Sequence, residues 1–171
     1  MPKIFKDPSK IKLPRSKFEE AEFGRSKKGV TICKECDSYH HKKAWRHDKV
    51  AFLGKRENRD LAFERALCPA CQMIKDKLYA GRITILNSPK DLRDELMNLT
   101  ENFCKRAWQK DPLDRLISVK KDREDLVITT TENQLAQRLA KKIKDAFNKV
   151  KLKIDHHKEP SDVTTIVLTF L

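Results

Sequence analysis

The sequence predicts an α+β protein: a module built on two cysteine pairs, then one helix, then a small ββαββ domain, all preceded by an extended basic tail. Three observations carry that expectation. Cys33-Lys-Glu-Cys36 and Cys68-Pro-Ala-Cys71 place two Cys-x2-Cys turns in one segment. Apolar residues recur at helical spacing in Leu92, Leu96, Leu99 and Phe103, and again in Leu135, Leu139, Ile143 and Phe147. Alternation of Val150, Leu152 and Ile154 with Lys149, Lys151 and Lys153 marks a strand with its apolar side inward and its lysines outward.

Residues 1–28 form the tail. They hold Lys3, Lys6, Lys10, Lys12, Arg15, Lys17, Arg25, Lys27 and Lys28, and Pro2, Pro8 and Pro14 interrupt any regular element. Such a stretch cannot bury enough apolar surface to offset its ordering entropy, so it is expected to order on a partner. The cysteine module spans 29–87. Val30-Thr31-Ile32 leads into Cys33 as a strand, and Arg59 to Leu67 reads as a short helix with Leu61, Ala62, Phe63 and Ala66 partly buried. Ile83-Thr84-Ile85-Leu86 reads as a further strand after a turn at Gly81.

The connecting helix falls within 88–112. Ser88 is a candidate cap, Pro89 suits the first turn, Asp91 and Asp94 favour the positive end of the dipole, and Pro112 ends the run. Cys104, beside the apolar face, reads as a small core residue. In 113–171, Leu116–Val119 and Leu126–Thr129 flank a charged turn at Lys120 to Asp125. Thr131 with Gln134 has the form of a capping box for the next helix. That helix carries Arg138, Lys141, Lys142 and Lys144 off its apolar stripe, and strands over Val150–Ile154 and Thr164–Phe170 follow. His156 and His157 read as residues of a solvated turn.

Charge narrows the partner. The 171 residues carry a net charge of +13, with 37% charged and 39% hydrophobic residues. Lysine and arginine in such excess displace counterions from phosphate backbones, which points to a nucleic acid. No apolar run reaches the roughly 18 residues of a membrane-spanning helix. The first residues, Met-Pro-Lys-Ile-Phe-Lys-Asp, lack the apolar core of a secretory signal, so a cytoplasmic, reducing location is expected.

In that setting paired cysteines mean a metal more often than a disulfide. The count of five cysteines agrees, because one four-cysteine site leaves Cys104 free. A two-residue gap lets the chain turn around one ion and present two thiolates. Two such turns supply the tetrahedral sulfur shell of a structural Zn2+, with Cys33, Cys36, Cys68 and Cys71 as ligands in a zinc-ribbon-like module. Lys34, Lys42, Lys43 and Arg46 lie near in sequence and could offset the negative charge of the shell. A redox pair, an iron–sulfur cluster, and a mixed shell using His40, His41 or His47 are the alternatives.

A full sulfur shell leaves no open position for an activated water. No nucleophile–base pair or glycine-rich phosphate loop stands out, so neither catalysis nor a small-molecule substrate is expected. Tyr39, Trp45 and Phe52 lie among Lys42, Lys43 and Arg46, a mixture that can stack on unpaired bases while holding phosphates. Trp45 could equally pack against the cysteine turn. Candidate nucleic-acid contacts are therefore Lys10, Lys12, Arg15, Arg25, Lys27, Lys28, Lys42, Lys43, Trp45, Arg46, Arg138, Lys141 and Lys142.

Cys33-x2-Cys36, Trp45, Leu67-Cys68-Pro-Ala-Cys71-Gln-Met-Ile, and Thr129-Thr130-Thr131 leading into a helix with Leu135-Ala136 resemble a family of short bacterial proteins. That family is similar to the N-terminal zinc-binding region of the nonsense-mediated-decay-named adaptor of archaea and eukaryotes, which escorts the large ribosomal subunit. The resemblance covers roughly residues 29–171. It implies a zinc-containing protein that binds the ribosome or ribosomal RNA. A ribosomal component, an assembly factor or a dormancy factor, monomeric on its partner, is the expected function. The basic tail, the long insertion between the pairs, and Gln72 where a glycine commonly follows such a turn depart from the pattern. A DNA-binding or transcription-associated zinc module is the alternative function, and a metal-dependent or redox enzyme the second alternative.

Overall fold

The computed structural model describes residues 29–122, 125–157 and 163–171; Lys10, Lys12, Arg15, Arg25, Lys27 and Lys28 lie outside them. Among the described residues the chain forms two sheets and four α-helices. The first sheet contains β1 (Val30–Cys33), β2 (Tyr39–His41), β3 (Ala44–Arg46) and β4 (Phe63–Ala66), in the order β3-β2-β1-β4. Helices α1 (Lys49–Leu53) and α2 (Pro69–Lys75) flank β4 in the chain. The second sheet contains β5 (Gly81–Leu86), β6 (Leu116–Asp122), β7 (Asp125–Thr130), β8 (Val150–His157) and β9 (Val163–Phe170), in the order β6-β7-β5-β9-β8. Helix α3 (Arg93–Lys110) precedes β6, and α4 (Asn133–Ala146) joins β7 to β8.

The α+β class is as expected, but several elements differ from the sequence reading. Residues Phe63–Ala66 form strand β4, not a helix, and pair in parallel with β1 from Val30↔Phe63 to Cys33↔Ala66. Glu64, Arg65 and Ala66 have ordinary helix propensity, and the open edge of β1 overrides it. The consequence at Phe63 is exposure, at 61%, where partial burial was expected. Strand β5 belongs to the second sheet, between β7 and β9, so the ββαββ unit gains a central fifth strand. Gly81 opens that strand and does not form a turn. A Cβ there would sit 2.4 Å from the Ala136 Cβ and 2.5 Å from the Thr130 Oγ1, so glycine lets α4 approach the sheet.

Helix α3 also starts later than its sequence signals suggest. Pro89 is extended (φ −57°, ψ 138°), and a tight turn over Lys90–Leu92 precedes the α-helix. The N-cap position of that turn is Pro89 rather than Ser88, whose hydroxyl accepts a hydrogen bond from Arg93 Nε at 3.3 Å. The expected capping box at α4 is likewise absent. Thr131 Oγ1 donates to the Leu113 carbonyl at 2.5 Å and accepts from the Arg115 N–H at 2.9 Å, and the N-cap position is Glu132. His156 and His157 extend β8, pairing with Thr164 and Val163, and so are not turn residues.

The helical stripes behave as their spacing predicts. Leu135, Leu139 and Ile143 of α4 are fully buried against Ile83, Ile85, Ile128, Ile166 and Leu168. Leu96, Cys104 and Ala107 of α3 close the same core, with Leu92, Leu99 and Phe103 packed at its margin. Burying a side chain of this size stabilises by roughly 1.5–3 kcal/mol each, enough to hold both helices on one face of the sheet. On β8, Val150 is buried whereas Ile154 is 37% exposed, because inward alternation yields less cover along an edge strand.

Candidate metal centre

The first cysteine pair is set by the end of β1. Cys33 is its last residue, and its N–H donates to the Ser38 carbonyl at 2.8 Å, closing the turn that carries Cys36. Asp37 takes a positive φ of 61° in that turn. The second pair is set by α2. Cys68 is its N-cap in an extended conformation, Pro69 supplies a pre-formed φ at the first helical position, and Cys71 sits in the first turn. Parallel pairing of β4 with β1 brings the two pairs together, since Cys33 lies opposite Ala66, two residues before Cys68.

The Sγ atoms of Cys33, Cys36, Cys68 and Cys71 all lie within 4.8 Å of one another. All five cysteines are free of disulfides. Four sulfurs at about 2.3 Å from a tetrahedral centre stand about 3.8 Å apart. The Cys36–Cys68 separation of 3.7 Å matches that edge. These four residues can hold a metal ion. Cys33, Cys68 and Cys71 are buried and Cys36 is partly exposed.

Backbone N–H groups and a hydroxyl surround the sulfurs. Cys68 N–H donates to Cys33 Sγ at 3.3 Å and Cys71 N–H to Cys68 Sγ at 3.4 Å. Ser38 Oγ lies 3.1 Å from Cys36 Sγ. Burial raises the Cys33 thiol, but backbone N–H groups of Cys36, Cys68 and Glu35 outweigh it and bring it down to about 7. Burial pushes Cys68 up to about 11, and burial with the neighbouring sulfurs pushes Cys71 well above its ordinary value. Four mutually repelling sulfurs in this pocket need a cation to exist together as thiolates.

The charged partner of the cluster comes from the segment just before β6. Arg115 places Nη1 3.8 Å from Cys71 Sγ, and its guanidinium lies 5.3 Å from the Trp108 ring centroid. His47 donates from Nε2 to the Trp108 carbonyl at 2.5 Å, with the two rings edge-on at 5.0 Å. Leu113, Trp45 and Leu67 pack against the cysteines. Lys34, Lys42, Lys43 and Arg46, expected to offset the cluster by their nearness in sequence, are exposed. Arg115, Trp108 and Ser38 were not singled out from the sequence. An arginine 44 positions from Cys71 leaves no local trace.

The candidate nucleic-acid residues fall in separate places. Lys42 and Lys43 form the two-residue turn between β2 and β3, both at positive φ (49° and 68°), as a tight hairpin turn demands. Lys42 and Arg46 line one cleft together with Tyr39 and Phe52. Trp45 is partly buried against the cysteine cluster. Lys141 and Lys142 are exposed on α4. Arg138 pairs with the largely buried Asp114 at 2.5 Å, a tie between α4 and the segment before β6. Among the described residues no helix is long and apolar enough to cross a membrane.

Fold and site together define the class: an α+β protein with two mixed sheets and a four-cysteine cluster able to hold a metal ion. Comparison with protein families, curated proteins and solved structures finds no match to this chain.

Proposed function

We propose that the chain is a non-catalytic, zinc-stabilised protein that binds the ribosome through ribosomal RNA in the cytoplasm. The observation that carries this reading is the closed four-sulfur cluster in a chain of net charge +13. An all-thiolate, tetrahedral shell suits Zn2+, which brings no redox chemistry and here keeps no open coordination position. Its work is then to fasten a small module whose own core, Val30, Ile32 and Tyr39 with their margin, is modest. Exposed Lys42, Lys43, Arg46, Lys141 and Lys142, with the basic tail, supply the phosphate contacts. The resemblance of the cysteine pairs to a ribosome-associated zinc region supports the same partner.

Gradient sedimentation of a gentle lysate tests the proposal. The protein is expected to travel with a ribosomal particle at low salt and to leave it at high salt, as phosphate-driven binding requires. A protein that stays at the top of the gradient at low salt would overturn it.

A further inference from the structure

The hairpin β2–β3 has two sides, and they face different things. His40 and Trp45 pair across it, with ring centroids 5.4 Å apart, and Trp45 packs on the cysteine cluster. Alternation places Tyr39, His41 and Arg46 on the opposite side. There Tyr39 stacks on Phe52 of α1 at 4.3 Å and 25°, and the His41 ring lies 4.9 Å from Phe52. These residues line a cleft of about 650 Å³, joined by Lys42 and Lys55. The volume is within the roughly 300–1,000 Å³ of clefts that hold small organic ligands.

The chemistry of the cleft is specific. Lys42, Arg46 and Lys55 are exposed cations at its rim, and Phe52 with His41 presents partly exposed ring surface between them. Two carboxylates also line it; that of Asp48 accepts a hydrogen bond from the Ala51 N–H. A nucleic-acid duplex offers phosphates but keeps its base faces stacked inside. An unpaired nucleotide offers a phosphate and a free base face together, which is what cations beside aromatic rings can use.

We infer that this cleft binds an unpaired nucleotide of an RNA strand, its phosphate held by Lys42, Arg46 and Lys55 and its base against Phe52 and His41. The inference rests on the RNA-binding reading above and deepens it by naming a site and a strand state. It assigns the metal a positional role: the cysteines fix one side of the hairpin, and the other side binds.

Fluorescence polarisation of the full chain tests it. The probes are a labelled single-stranded oligoribonucleotide of about 12 nucleotides, the corresponding RNA duplex, and a DNA strand of the same sequence. The single RNA strand is expected to bind most tightly. Arg46→Ala with Lys55→Ala, both on exposed residues, is expected to weaken it about tenfold and to lower the salt slope by about one. Phe52→Leu is expected to weaken single-strand binding at least fivefold and leave the duplex unchanged, since only an unpaired base can stack on the ring. A 4-thiouridine strand is expected to cross-link within residues 39–58. Cross-links elsewhere, or variants that bind as the parent does, would overturn the cleft while leaving RNA binding intact. Tighter binding of the DNA strand would overturn the RNA assignment. Failure to bind any RNA at low salt would overturn the cleft and the RNA-binding reading together, whereas continued sedimentation with ribosomes would then preserve only a protein-mediated association.

Discussion

Arg115 Nη1 lies 3.8 Å from Cys71 Sγ, so the segment that leads into β6 reaches the cysteine cluster. The same residue donates its backbone N–H to Thr131 Oγ1, and its guanidinium lies near the Trp108 ring. Arg115 thus links the cluster and the end of α3 through its side chain, and the segment before α4 through its backbone.

Arg115→Gln should loosen that link. The lost charge-assisted contact to sulfur is expected to lower stability by about 1–3 kcal/mol and metal affinity by about tenfold. Competition against a chelator, run beside urea unfolding, reads both quantities. Unchanged metal affinity in the variant would mean that the guanidinium does not support the cluster.

The cysteines should divide four to one. Cys68→Ser is expected to remove stoichiometric metal and sharply lower the melting temperature, because it takes one of the four clustered sulfurs away, while the cap of α2 and the N–H bond to Cys33 can persist with serine. Cys104→Ser should retain the metal. It is expected to lose about 1–3 kcal/mol by placing a hydroxyl in the apolar core beneath α3. Burial also pushes the Cys104 thiol up to about 12, so it should stay unalkylated in the folded chain near neutral pH. Elemental analysis and mass spectrometry after alkylation separate the two classes. Metal retained by Cys68→Ser would contradict the ligand assignment.

How much of this was legible in the sequence depends on how local each cause is. The cysteine turns were readable because a two-residue gap fixes their geometry within one turn of chain. The faces of α3 and α4 were readable because helical period and burial coincide at Leu96, Leu135, Leu139 and Ile143. Strand β4 was not, since only its partner β1 makes an extended Glu64-Arg65-Ala66 favourable. Thr131 carried a sound local signature that lost to Leu113 and Arg115, and Arg138 reads as a free cation until Asp114, 24 positions earlier, is placed beside it. Arg115 was invisible for the same reason.

Stability should fall in acid through His40. Burial first, then the charge of His41, lowers its folded pKa below the ordinary 6.5, and its Nε2 is buried without a hydrogen-bond partner. A group with a depressed folded pKa contributes fully above its unfolded pKa, and that contribution is lost as the pH drops through the folded value. Thermal unfolding between about pH 7.5 and about pH 5.5 is expected to show a smaller decline in His40→Leu than in the parent. Equal declines would assign the acid sensitivity elsewhere.

X-ray absorption at the zinc edge of the purified chain tests whether the four cysteines hold zinc. One zinc per chain is expected, surrounded by four sulfurs at about 2.3 Å and no nitrogen or oxygen neighbour. A shell containing a nitrogen or oxygen ligand, or a metal-free chain that folds and melts as the loaded one does, would contradict it.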